Sequence, residues 1–203
     1  MRLVRGMMLG ALLGSIAVGS AWAQGAPPVR VRGAIEALDG SVLTVKSREG
    51  ETLKIKLADN LTVNAVIATQ LAAIKPGSFI GTAAMTGSDG KLMALEVLVF
   101  PEAMRGTGEG HYPWDLQPDS TMTNATVATL AASPKGQVMS LTYKGEAKEV
   151  TVPSGVPIVT FEPGDKAMLK PGAKVFVVAA KGADGSLSAA RVNVGKDGLT
   201  PPM

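Results

Sequence analysis

IKPGSFIGTAAMTGSDGKLMALEVLV (74–99) and LKPGAKVFVVAAKGADGSLSAARVNV (169–194) are one phrase written twice, at a constant offset of 95 residues. Lys75-Pro76-Gly77 falls on Lys170-Pro171-Gly172, and Asp89-Gly90 falls on Asp184-Gly185. Leu92, Val97 and Val99 fall on Leu187, Val192 and Val194. Upstream, Gly50-Glu51 falls on Gly145-Glu146, and Ile55 and Leu57 on Val150 and Val152. What is shared is turn formers and inward apolar positions, the places a common backbone constrains. A repeat this long is not a solenoid unit, so it reads as two discrete domains.

Working outward, the chain has a period of two from Val29. Val29, Val31 and Ile35 point one way, and Arg30 and Arg32 the other. Asp39-Gly40 is a hairpin signal. Leu43 and Val45, then Leu53, Ile55 and Leu57, continue as half-buried strands around a turn at Glu49-Gly50. Ala68–Ile74 has helix formers at helical spacing, which predicts one or two turns stopped by Lys75-Pro76-Gly77. Strands at about 78–85 and 92–100 follow. Three strands, a short helix and two strands in so few residues is the order of an OB-type barrel. The sequence therefore predicts an all-β protein with short helices, built as two tandem OB-like five-stranded barrels. Their expected bounds are 24–100 and 123–196, with an ordered linker at 101–122 and a tail at 197–203.

Residues 1–23 read as a secretory signal peptide. Arg2 and Arg5 precede an apolar run from Met7 to Val18, and Ala21-Trp22-Ala23 supplies the small residues of a cleavage site. No other segment approaches the roughly 20 apolar residues of a membrane helix. Without the leader, Lys+Arg falls from 20 to 18 against 17 Asp+Glu, so the net charge is near +1 rather than +3. That balance argues against nucleic acid as a partner. With no cysteine, the exported domains must hold together by apolar burial alone.

The linker concentrates the chemistry. FPEAMRGTGEGHYPW (100–114) holds the only histidine, and Arg105, Glu109, His111, Tyr112 and Trp114 crowd into it, with Asp115 next in the chain. Gly106, Gly108 and Gly110 allow positive φ and close approach. Two uses follow: a small binding site between the barrels, with Tyr112 and Trp114 as walls and Arg105 gripping an anion, or a clamp that locks the barrels together. A metal set of Glu109, His111 and Asp115 lacks a second histidine and any thiolate, so no metal is assigned. No serine sits in a nucleophile elbow, GTGEG lacks the dinucleotide spacing, and no cofactor or catalytic residue is named. A second face is basic: Arg30, Arg32, Lys46, Arg48, Lys54 and Lys56 alternate outward on the first three strands, where OB barrels bind oligomers. Glu36, Glu49 and Glu51 dilute it and no aromatic platform accompanies it, so solvated, edge-protecting lysines explain it as well.

The leader, the tandem pattern and the connecting VFPEAMRGTGEGHYPWDL (99–116) together resemble a family of uncharacterised exported bacterial proteins with tandem OB-like domains. The resemblance implies a periplasmic location and an OB-like fold, and it implies no activity. The function expected is a non-catalytic binding or interaction module, its partner a small ligand or an envelope protein. The alternative is a polyanion-binding face on the first barrel.

Overall fold

A computed structural model describes residues 27–203, so the expected signal peptide lies outside the described residues. The alternating first segment forms three antiparallel strands, β1 (Val29–Asp39), β2 (Val42–Ser47) and β3 (Thr52–Ala68). Gly40 and Gly50 turn the chain between them at φ 56° and 94°. Next come β4 (Phe79–Thr86), β5 (Leu92–Ala94), β6 (Val97–Val99) and β7 (Gly110–Pro113). The second half runs through β8 (Thr121–Ser133), β9 (Gly136–Tyr143), β10 (Glu146–Val152), β11 (Ile158–Pro163), β12 (Lys174–Lys181) and β13 (Leu187–Gly195). The protein is all-β with short helical turns. The helix expected within 68–74 is a single 3-10 turn at Leu71–Ala73, because β3 runs on to Ala68 and leaves no room for more.

Two five-stranded rings close. In the first, β12, β1, β2 and β3 lie side by side in the Greek-key order, and β13 closes the ring, antiparallel to β12 and parallel to β3. In the second, β4, β8, β9 and β10 lie in the same order and β5 closes it, antiparallel to β4 and parallel to β10. Each ring is filled by aliphatic side chains. Val31, Leu43, Val45, Ile55, Val177 and Val192 centre the first, and Ile80, Val97, Met139, Leu141 and Val150 the second.

The rings do not follow the bounds 24–100 and 123–196. Each takes three strands from one half of the chain and its closing pair from the other. The cause is the length of β3. Its start, Thr52–Lys56, pairs with β2, but at about 3.3 Å per residue its 17 residues run far beyond β2, accompanied by β13 as far as Val66. Its end pairs with β11, Ala68 opposite Val159 and Asn64 opposite Pro163. The chain thus leaves β3 at the junction and delivers β4 and β5 to the second ring, while β11 does the reverse for β12 and β13.

The ladders repeat across this exchange. Ile55 faces Leu187 as Val150 faces Leu92, and Val63 faces Val192 as Ile158 faces Val97. In the β3–β11 ladder, Val66 faces Phe161, a residue 95 positions later. The two Lys-Pro-Gly turns sit alike, with Gly77 and Gly172 at φ 89° and 86°. Gly77 N–H donates to Val127 of β8 and Gly172 N–H to Ile35 of β1, each to the opposite half at 2.8 Å.

The segment between the repeats carries secondary structure of its own. After a 3-10 turn at Glu102–Met104, β7 pairs with the start of β8, Gly110 opposite Asn124. The tail at 197–203 packs down rather than fraying: Met203 is buried and its main-chain oxygen accepts from Arg32 Nε at 2.7 Å.

Residues 27–100 contain β1–β6, yet their β4–β6 belong to the other ring. Expressed alone, this fragment should give no compact monomer, only unfolded chain or a dimer that restores the exchange. Light scattering after gel filtration, with circular dichroism, reads the outcome; a cooperatively melting monomer contradicts the topology.

Candidate functional site

Strand alternation usually places apolar residues in and polar residues out. Around the junction, both faces are apolar. On β12, Val175 and Val177 fill the first ring, while Phe176 and Val178 point out of it. The outer faces of the two rings meet over a third buried layer of Val66, Leu98, Val159, Phe161, Phe176 and Met203, against which Phe100, Met104 and Trp114 pack. The seam is not filled. It leaves a cleft of about 470 Å³, within the range of small-molecule sites.

The cleft gathers the chain's scarce aromatics. Of four Phe, two Trp and two Tyr in the whole chain, Phe100, Tyr112, Trp114, Phe161 and Phe176 line it. Trp114 meets Tyr112 and Phe176 edge-on, with ring centroids 6.1 and 6.3 Å away. Arg30 lies over the Trp114 ring, 4.0 Å from its centroid, a contact that contributes about 1 kcal/mol. Met104, Met122 and Met203 add flexible, polarisable surface.

Three residues of this lining each hold a buried polar atom with no hydrogen-bond partner: Glu96 Oε2, Trp114 Nε1 and Asn124 Oδ1. They are the complete set of such side-chain atoms among the described residues. An unsatisfied buried group costs about 1–3 kcal/mol, so their coincidence in one cleft is informative. Asn124 is oriented by its surroundings. Its Nδ2 donates to the Thr107 carbonyl (3.0 Å) and Tyr112 Oη (3.2 Å), which leaves Oδ1 as a free acceptor. Two glycines make room for it. A Cβ on Gly81 would stand 2.5 Å from Asn124 Oδ1, and one on Gly108, at φ 60°, 2.9 Å from Nδ2.

Glu96 is fully buried, and Ala83 N–H donates to its Oε1 at 2.8 Å. Desolvation pushes its carboxyl up to about 8, against the pull of the Ala83 hydrogen bond and the charge of Arg32. At neutral pH the side chain is therefore a carboxylic acid. With Oε1 accepting from Ala83, Oε2 is the oxygen left free to carry the proton.

The residues expected from the linker divide between three places. Alternation along β7 sends Tyr112, and Trp114 beyond it, into the cleft and His111 away from it. His111 Nδ1 is 2.8 Å from Thr123 Oγ1, and its ring stacks on Tyr143. Burial, joined by the charge of Lys148 and opposed by Glu146, lowers its pKa. Arg105, expected to grip a ligand, grips Glu102 instead and donates to the Gly77 carbonyl at 2.8 Å, tying the linker to the first Lys-Pro-Gly turn. Glu109 Oε1 accepts from Lys144 N–H at 3.2 Å. Asp115 accepts from Arg32 (2.8 Å) and faces Arg30 (3.6 Å). Partial burial raises the Asp115 carboxyl, but the Arg32 hydrogen bond and both arginine charges outweigh that and hold it below the aspartate range. Glu109, His111 and Asp115 are thus committed to different partners. No three His, Cys, Asp or Glu side chains cluster among the described residues.

The basic face also divides. Arg30 and Arg32 turn into the seam, where Trp114, Asp115 and Met203 hold them. Arg48 pairs with Glu49 and donates to the Asp115 carbonyl. Lys46, Lys54 and Lys56 remain on the exposed surface. No helix among the described residues is long and apolar enough to cross a membrane.

Sequence reasoning did not find Glu96, Asn124, Phe100, Phe161 or Phe176. A signal for two of the walls was present: VFVVAA (175–180) and VLVF (97–100) are unbroken apolar runs, the mark of strands covered on both faces. Compared with protein-family models, with curated proteins and with solved structures, the chain matches none.

The Glu96 pKa makes stability depend on pH in a definite sense. The folded state binds this proton more tightly than the unfolded state, so its contribution is complete below about 4.5 and is lost as pH rises through about 8. Glu96→Gln keeps the acceptor for Ala83 and removes the titration. Denaturant unfolding from pH 5 to 9 should show the wild type losing stability relative to E96Q as pH rises. Parallel profiles would contradict the buried acid.

Proposed function

We propose that this protein is an exported, periplasmic, non-catalytic binding module whose ligand site is the cleft between its two OB-like rings. One observation carries the reading: the cleft lining holds every unpartnered buried side-chain polar atom found among the described residues, amid most of the chain's aromatic rings. A purely structural seam gains nothing from an unpaired indole N–H, amide oxygen and carboxyl. A bound molecule with complementary groups recovers what they cost. In this reading Tyr112 and Trp114 wall the site, while the contacts of Arg105 and Asp115 support a clamping role for the segment that carries them.

The leader and the family resemblance of 99–116 support the periplasmic placement. The polyanion alternative keeps Lys46, Lys54 and Lys56 but lacks Arg30 and Arg32, which the seam engages, and Arg48, which Glu49 and the Asp115 carbonyl hold.

Native mass spectrometry of protein isolated from the cells that make it tests the proposal. The expected result is one non-covalently held small molecule per chain. Ala190 is exposed at the lip of the cleft, and Ala190→Trp should block the site and abolish that adduct while leaving the melting transition within a few degrees. An adduct that survives A190W, or bare chain that no small-molecule library stabilises, would overturn the assignment.

A further inference from the structure

The cleft carries a charge as well as a shape. Its ionisable lining side chains are Arg30, Arg191 and Glu96. Glu96 is the buried acid already described, and Arg30 faces Asp115 while covering Trp114. Arg191 stands 95 positions after Glu96, on the outer face of β13. It is exposed, and among the described residues it has no ion pair and no side-chain hydrogen bond. An unpaired guanidinium at the edge of an aromatic cleft is suited to a carboxylate, sulfonate or phosphate group, which it grips with two parallel hydrogen bonds.

Behind it, the chemistry changes. Phe100, Phe161, Phe176, Tyr112 and Trp114 offer ring faces and edges, the surroundings that favour a flat π-system over an alkyl chain. The unpaired atoms then ask for specific complements: an acceptor for the Trp114 N–H, an acceptor for the Glu96 hydroxyl and a donor for Asn124 Oδ1.

Resting on the proposed binding role, we infer that the cleft takes a planar aromatic acid, its anion held by Arg191, its rings among the aromatic walls, and a hydrogen-bonding substituent directed at Glu96, Asn124 and Trp114. Affinity comes from ring burial, and selection for an acid comes from Arg191. Neutral arenes lose the charge-assisted contact, and alkyl acids lose the ring contacts.

Three probes separate these contributions on the full chain, read by titration calorimetry and Trp114 quenching. 8-Anilino-1-naphthalenesulfonate has rings, anion and N–H; N-phenyl-1-naphthylamine has the same rings and N–H without the anion; dodecanoate has the anion without rings. The sulfonate should bind once per chain, and the other two at least about tenfold more weakly. Arg191→Gln should weaken the sulfonate about tenfold and leave the neutral amine unchanged. Lys181→Gln, an exposed charge outside the cleft, should change neither. Equal affinity for the neutral amine, equal affinity for dodecanoate, or indifference to R191Q overturns the aromatic-acid inference while leaving a binding cleft. Probe binding that A190W does not reduce, or no binding by any of the three, overturns the cleft as well.

Discussion

The antiparallel ladder between β3 and β11 is the constraint on which the molecule depends. Centred on Val66 and Phe161, it sets the end of β3 beside β11, a strand from the other half of the chain. Once that pairing forms, the closing strands can reach only the opposite ring. The rings are then tied by a ladder of paired strands rather than by a flexible tether, so their outer faces are held in fixed apposition. Relative motion of the kind expected for small tethered domains would require breaking this ladder.

Fixed apposition explains why the cleft can stay open. Ring interiors are satisfied by Val, Ile, Leu, Ala and Met, with few aromatics. Aromatic side chains are instead placed where the outer faces meet, and Asp115 with Arg30 and Arg32 staples the linker across the mouth. The third buried layer supplies the apolar area that joins the rings. Against that background, an unpaired Glu96 carboxyl, Asn124 oxygen and Trp114 N–H cost stability that the seam does not recover alone. Each buried polar group left open in an otherwise satisfied structure calls for an explanation, and a binding site supplies one for all three.

Much of the fold was legible because alternation and turn chemistry are local. Asp39-Gly40, Asp89-Gly90 and Asp184-Gly185 all mark turns, and the period of two located β1, β2 and the start of β3, whereas the single strand expected at about 92–100 is broken into β5 and β6 and β7 was not expected. What local signals do not carry is which closing strand joins which ring. The phrases at 74–99 and 169–194 are alike enough that either could complete either ring, and only the overlong β3 distinguishes them. The site was half legible for the same reason. Tyr112 and Trp114 stood out as aromatics in a glycine-rich linker. Glu96 did not, since a lone glutamate between apolar strands looks like an exposed turn residue until long-range pairing buries it. His111 and Arg105 drew attention by residue type, yet the alternation of β7 and the nearby Glu102 turned them to structural work.

Exchange of the closing strands is the claim from which cleft, walls and buried acid all follow, and interstrand nuclear Overhauser contacts test it most directly in an isotopically labelled sample. The account predicts contacts from Val31, Arg32 and Gly33 on β1 to Val175, Phe176 and Val177 on β12. Contacts from those same β1 residues to Ile80, Gly81 and Thr82 on β4 would mean that each half closes on itself, and would contradict it.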